Sequence, residues 1–250
     1  MGKKTESKAL TQPGSWKEVA RKSVGPAKAV AAALPQAGGN FISLRGGNIA
    51  LGGNKLANPL SVIVLAHQQE RSYYSTNFDP GKPAAPDCYS YDGGKPHELS
   101  PDKQNATCVQ CPFNEFGSAK QGGGKGCKEG VKLALVSSDT LKDSDKFMAA
   151  PIVQVRLSVL NAKIWAGFCQ AFLEDDRPLW AQEILLRNES DERSQYRVSF
   201  SLGKELPDKV LDVIALRIDE ASKLLLTPYP KLEQAAVTAK PKSGGRRAKF

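Results

Sequence analysis

The chain has 250 residues, of which 40% are hydrophobic and 24% charged, with a formal net charge of +9. That length supports one substantial core, and no apolar run approaches the roughly 20 residues of a membrane span. The opening "MGKKTESKALTQPG" lacks the apolar stretch of a secretory signal, so a cytoplasmic protein is expected, with no membrane partner.

The charge is unevenly placed. Residues 1–28 hold seven basic and two acidic side chains, residues 231–250 hold six and one, and the middle holds 22 and 23. Both ends are rich in Gly, Pro, Ser and Ala, so they read as flexible cationic arms on a near-neutral body. Such arms suit a polyanion, because Lys and Arg displace the counterions condensed on phosphates. The expected organisation is a basic N-terminal arm over 1–39, a single α+β nucleic-acid-binding domain over 40–228, and a basic C-terminal tail over 229–250.

In chain order, "SWKEVARKSV" has the Ser15/Glu18 spacing of a capping box and predicts a short helix. "FISLR" reads as a strand, "GGNIALGGNKLANP" carries hairpin punctuation, and Val62–Ala66 form a buried-type strand. A Pro/Gly-rich loop leads to the cysteine cluster, after which "VKLALVSS" and "PIVQVRLS" are strands. "VLNAKIWAGFCQAFLED" predicts a helix with Leu160, Ile164, Phe168 and Phe172 as its core stripe. "AQEILLR" and "SQYRVSFSLG" predict paired antiparallel strands around "NESDE", and "LPDKVLDVIALRIDEASKLLL" predicts one last helix, with Pro207 and Asp208 in its first turn. Strands interrupted by two isolated helices predict an α+β fold on a mainly antiparallel sheet, with an OB-like barrel as the specific form expected for strand binding.

Four of the five cysteines, Cys88, Cys108, Cys111 and Cys127, are spaced C-x19-C-x2-C-x15-C in Gly/Pro-rich, non-periodic sequence. Cys108 and Cys111 bracket two residues before Pro112, the form of a metal knuckle in which a tight turn aims two thiolates at one ion. One structural, tetrahedral Zn²⁺ with four thiolates and no catalytic vacancy is the expected cofactor, forming a zinc knuckle over 88–127. The surrounding loop has little apolar content, so a metal would supply ordering energy that a core cannot. A redox C-x-x-C would normally open a helix, which "CVQCPFNEFG" does not favour. An iron–sulfur cluster could use the same thiolates, and His97 could replace Cys88. Cys169 lies in the apolar "WAGFCQAF" and reads as a core thiol.

"KQGGGKGCK" does not satisfy a phosphate-binding P-loop, because Ala119 and Gly126 stand where Gly and Ser or Thr are required. It reads instead as a mobile basic loop between metal ligands. With only His67 and His97 available, histidine-based catalysis has little material, and no enzyme is expected. Single-strand binding needs cations for phosphates and exposed aromatics for bases. The candidates are Arg71 with Tyr73 and Tyr74, Phe113 and Phe116 beside Lys120, and the loop lysines Lys125 and Lys128. Tyr89 and Tyr91 beside Cys88, and Tyr196 beside Arg197, are further aromatic pairs. Tyr73 and Tyr74 cannot both face inward on one strand, so one of them is expected to be exposed.

"PDCYSYDGGKP", "CVQCPFNEFGSAKQGGGKGCK" and the following "VKLALV" together resemble a widespread group of phage-encoded proteins, over roughly residues 40–205. The shared pattern is P-x-C-x-S-x-D-G…C-x-x-C-P-x-N-x-(F/W)-G-S…G-x-G-K-x-C before a strand. The resemblance implies single-stranded DNA binding in replication or transcription, in the cytoplasm of a host cell. The basic "KPKSGGRRAKF" departs from the acidic tail of many single-strand-binding proteins. The expected partners are single-stranded DNA, which the resemblance implies, RNA, which the same phosphate and stacking contacts would also serve, a phage or host polymerase, and further copies of the chain. The alternative function is a zinc-containing transcription cofactor that recruits an RNA polymerase through protein contacts.

Overall fold

The computed structural model describes residues 40–76, 85–173, 177–192 and 194–229. The helix expected at Ser15, the acidic run at 174–176 and most of both basic arms lie outside the described residues. Nine strands form one sheet: β1 (Phe41–Ser43), β2 (Ala50–Leu51), β3 (Asn54–Lys55), β4 (Leu60–Tyr73), β5 (Cys88–Ser90), β6 (Lys128–Ser137), β7 (Val153–Leu157), β8 (Gln182–Asp191) and β9 (Gln195–Glu205). The order is β3-β2-β1-β7-β6-β4-β8-β9, with β5 added to the far end of β4. Every pairing is antiparallel except β1 with β7. The sheet curls into a half-barrel. Four helices, rather than the two expected, accompany it among the described residues: α1 (Ser144–Ala149), α2 (Val159–Leu173), α3 (Asp208–Ala215) and α4 (Ile218–Leu225).

The central strands β4 and β6 are apolar on both faces because helices cover both. On one face Val62, Val64, Leu133, Leu135, Val155 and Leu157 pack with Trp165 of α2. On the other, Ile63, Leu65, Ala134 and Val136 pack with Phe147 of α1, Ile214 of α3 and Leu225 of α4. Each such large side chain contributes about 1.5–3 kcal/mol when fully buried. A register shift between Val64 and Ala66 in β4 marks a bulge.

Polar side chains hold one end of the curl together. Asn188 Nδ2 donates to the carbonyls of Leu44 (2.8 Å) and Asn48 (2.9 Å), while its backbone N–H donates to Asn58 Oδ1 (3.0 Å). The β8–β9 hairpin is thereby tied to the loop after β1.

Two helical expectations change. The last helix is two, because Arg217 sits at the break with its side chain buried. Its guanidinium donates to the carbonyls of Phe147 (2.7 Å) and Ala150 (2.8 Å), drawing the chain onto α1. In α2 the packed stripe runs through Asn161, Trp165 and Phe172, whereas Leu160 is 43% exposed. Asn161 takes the inward place because its Oδ1 accepts from the Val198 N–H of β9 at 2.9 Å. Helix α1, which had no counterpart among the expected elements, is capped by Asp143, whose carboxylate accepts from the N–H groups of Asp145 and Lys146. In β8–β9, strand pairing continues through Asp191↔Gln195, so much of the expected turn "NESDE" is strand.

Candidate metal centre and nucleic-acid cleft

Backbone geometry assembles the cysteine module. β5 pairs with the end of β4, setting Cys88 opposite Tyr73. Asp92 Oδ1 then accepts from Ser90 Oγ (2.8 Å), the Gly94 N–H (2.8 Å) and the Lys95 N–H (3.2 Å), turning the chain sharply at Gly93, whose φ is +71°. The Cys108 N–H donates to the Gly94 carbonyl (2.9 Å), and the Cys127 N–H to the Phe113 carbonyl (2.8 Å). Cys111 precedes a single 3-10 turn over Pro112–Asn114.

As a result Cys88, Cys108, Cys111 and Cys127 line one cavity of about 20 Å³, with Tyr73 and Pro96 in its wall. None is in a disulfide. Burial pushes the thiols of Cys88 and Cys108 up, and that of Cys127 up to about 11, with the neighbouring cysteines raising each further. Among the described residues, no three histidine, cysteine or carboxylate side chains stand as a ready metal-holding group. The four thiols share one cavity, but they are not drawn into a cage. Cys169 is separate, half-buried on α2, with burial raising its thiol to about 11.

Beside this cavity lies a cleft of about 220 Å³ lined by Tyr73, Tyr74, Phe113, Lys120 and Lys128, together with the Ser118–Ala119 and Gly126 backbone. Tyr73 belongs to both walls, and its ring centroid is 4.2 Å from that of Phe113. Lys120 is exposed, and its Nζ donates to the Ser75 carbonyl. Lys128 Nζ donates to the Lys125 carbonyl at 2.5 Å.

The glycine run is a bridged turn rather than an open loop. Phe116 and Lys125 form an antiparallel bridge, and the Gly117 N–H donates to the carbonyls of Gly123 (3.1 Å) and Gly124 (3.0 Å). Gly122, with φ +74°, makes the reversal, a conformation that L side chains rarely adopt. The turn lifts Phe116 into solvent at 82% exposure, with Lys125 Nζ 5.3 Å from its ring centroid.

Five of the eight expected nucleic-acid residues thus line one cleft, and Phe116 with Lys125 form the tip of the adjacent turn. Arg71 stands apart from the cleft lining. Its guanidinium meets Glu129 at 3.0 Å and donates to the Cys108 carbonyl at 3.4 Å, bracing the module on the sheet. Neither Tyr73 nor Tyr74 is exposed: Tyr73 is buried beneath the module and Tyr74 is half-buried. Tyr89 and Tyr91 are core residues, both buried.

Sequence reasoning missed a buried ionic cluster of Glu70, Lys132 and Arg156, and its partner Tyr229. Its members come from three strands and the segment after α4, so no local spacing announces them. Among the described residues, no helix is long and apolar enough to cross a membrane. Comparison with protein families, with characterised proteins and with solved structures returns no match.

Proposed function

We propose that the chain is a non-catalytic single-stranded nucleic-acid-binding protein acting on DNA in phage replication or transcription, within the host cytoplasm. The observation that carries this reading is the cleft itself. Tyr73, Tyr74, Phe113, Lys120 and Lys128 converge there from two separated segments, against the wall of the four-thiol cavity. Strand binding needs cations for phosphates and ring faces for bases, here Lys120 and Lys128 with the half-buried rings of Tyr74 and Phe113, while buried Tyr73 backs the wall. Phe116, exposed and flanked by Lys125, offers a further stacking surface. The curled sheet suits an OB-like platform, on which loops at one end receive the strand.

Cys88, Cys108, Cys111 and Cys127 would hold one Zn²⁺, the metal whose structural sites take four thiolates. The donor set fits: four thiols outside any disulfide share one cavity, burial raises the pKa of three of them, and a divalent cation would act in the opposite direction. Bound zinc would order a module that has little apolar core, and so fix the cleft wall at Tyr73 and Phe113.

The test pairs metal analysis by mass spectrometry with an anisotropy titration on a labelled single-stranded oligonucleotide. About one zinc per chain and an affinity that falls steeply with salt are expected. A salt-insensitive affinity, or none, overturns the nucleic-acid reading. The second reading, a zinc-containing cofactor docking on an RNA polymerase, draws on the exposed apolar tips Val109 (74%) and Phe116 of the same module. It requires zinc without oligonucleotide binding, and a polymerase contact that survives nuclease treatment.

A further inference from the structure

A second concavity, of about 630 Å³, opens between the sheet and α2, apart from the cleft. The bulge in β4 sets its floor. Val64 pairs with Leu135, and beyond the bulge His67 pairs with Leu133 and Gln69 with Val131. His67 and Gln69 therefore stay on the face that Val62 and Val64 fill with apolar groups, and both are exposed there. Lys163 and Ala166, exposed on α2, form the facing wall. An apolar trough with a few convergent polar groups has the make-up of a binding site. Its charge selects the occupant. Among the described residues of the lining, Glu129 is the one carboxylate. It is already met by Arg71 at 3.0 Å and Lys125 at 3.4 Å, which leaves the Lys163 ammonium in excess and favours an anion.

The groove also runs on from the cleft. Lys128, in the cleft lining, donates its Nζ to the Lys125 carbonyl at 2.5 Å. Lys125 Nζ lies 5.3 Å from the Phe116 ring centroid and 3.4 Å from Glu129 of the groove. We propose that the groove is the second half of one nucleic-acid track, receiving the single strand that leaves the cleft past Phe116 and Lys125. This rests on the reading of the cleft as a strand-binding site. Lys163 meets a phosphate of that strand. The imidazole of His67, in a T-shaped contact with Trp165 at 5.9 Å, offers a face to a base. The Gln69 amide offers a donor and an acceptor to a base edge. From Tyr73 to His67, β4 covers about 20 Å. That is the length of about six stacked nucleotides.

The test is an anisotropy titration of the full chain at low salt with labelled single-stranded oligonucleotides of about 4 and about 16 nucleotides, which bracket the usual site sizes. Lys163→Glu combined with Ala166→Glu puts two carboxylates on the exposed wall and leaves the core and the cleft untouched. The pair is expected to weaken the longer oligonucleotide about tenfold and to leave the shorter one unchanged, because only the longer strand reaches α2. Ala166→Lys is expected to tighten the longer strand about two- to threefold, a gain that damage to the fold does not produce. Equal losses for both lengths would overturn the inference, since the carboxylates would then act on the cleft. Affinities unmoved by either variant would overturn it too and leave the cleft standing. Where the shorter strand binds too weakly to titrate, Ala166→Lys on the longer one decides, and an unchanged affinity overturns the track. Self-association in sedimentation that the two glutamates abolish would give the groove to a second copy of the chain instead. Absence of binding by the unsubstituted chain at both lengths would overturn groove and cleft together.

Discussion

The cysteine module and the sheet body are held together by different means. Around β4 and β6, apolar side chains meet helices on both faces, and cohesion comes from area removed from water. Between residues 85 and 127 the chain makes one three-residue strand and a single 3-10 turn, and beyond the buried Tyr89–Tyr91–His97 ring cluster its organisation rests on backbone hydrogen bonds, glycine turns and four thiols around a cavity. The module meets the body through Arg71, which pairs with Glu129 and the Cys108 carbonyl, and through Tyr73, which packs on Phe113. The cleft side chains gather where the two meet, because the end of β4 supplies one wall and the module supplies the other.

This contrast can be broken most severely at Cys111. Cys111→Ser should abolish zinc retention and oligonucleotide binding while the far-UV circular dichroism of the sheet remains. Collapse of the whole spectrum would mean that module and body are one cooperative unit. Next in size is Phe147→Ala on the body, which empties a fully buried ring site and should cost about 3–5 kcal/mol in denaturant unfolding. Metal content of the folded protein should be unchanged, and zinc loss in parallel would contradict the division. Phe116→Ala should leave the melting temperature in place, since the ring is exposed, and weaken strand binding by about 1–3 kcal/mol if one base stacks there. Unchanged affinity would remove Phe116 from the site.

The smallest effect concerns His67, a solvent-exposed residue of β4 whose ring stands 5.9 Å from that of Trp165 and is partly desolvated by it. Partial desolvation lowers its pKa, so the fold favours the neutral imidazole. Its contribution to stability is complete above the unfolded value of about 6.5 and is lost as the pH falls below it. His67→Gln should therefore reduce the drop in melting temperature between pH 7.5 and pH 5.5. An identical drop in both proteins would dismiss the histidine as a source of acid sensitivity.

Local pattern made much of this protein legible. Strands announced themselves where β-branched and aliphatic residues run between Gly and Pro punctuation, as at Val62–Ala66 and "VKLALV", since a strand covered on both faces must be apolar throughout. The cysteine spacing pointed to four thiols in one place, and they do line one cavity. The lysines and aromatics of the cleft were legible as residue types, but their convergence was not.

What the sequence determined by itself is thus the set of elements that each depend on their neighbours in the chain: the main strands, the long helix α2, the knuckle spacing and the cationic ends. Tertiary structure alone decided which side chains lose their water. It buried Tyr89 and Tyr91 under the returning Thr227–Tyr229 segment, and it broke the last helix where Arg217 reaches the carbonyls of Phe147 and Ala150. It also gathered Glu70, Lys132 and Arg156 from three strands around one carboxylate. A polar residue at an alternating strand position looks the same in sequence whether its face meets solvent or a partner, because periodicity records the face and only packing records what lies against it.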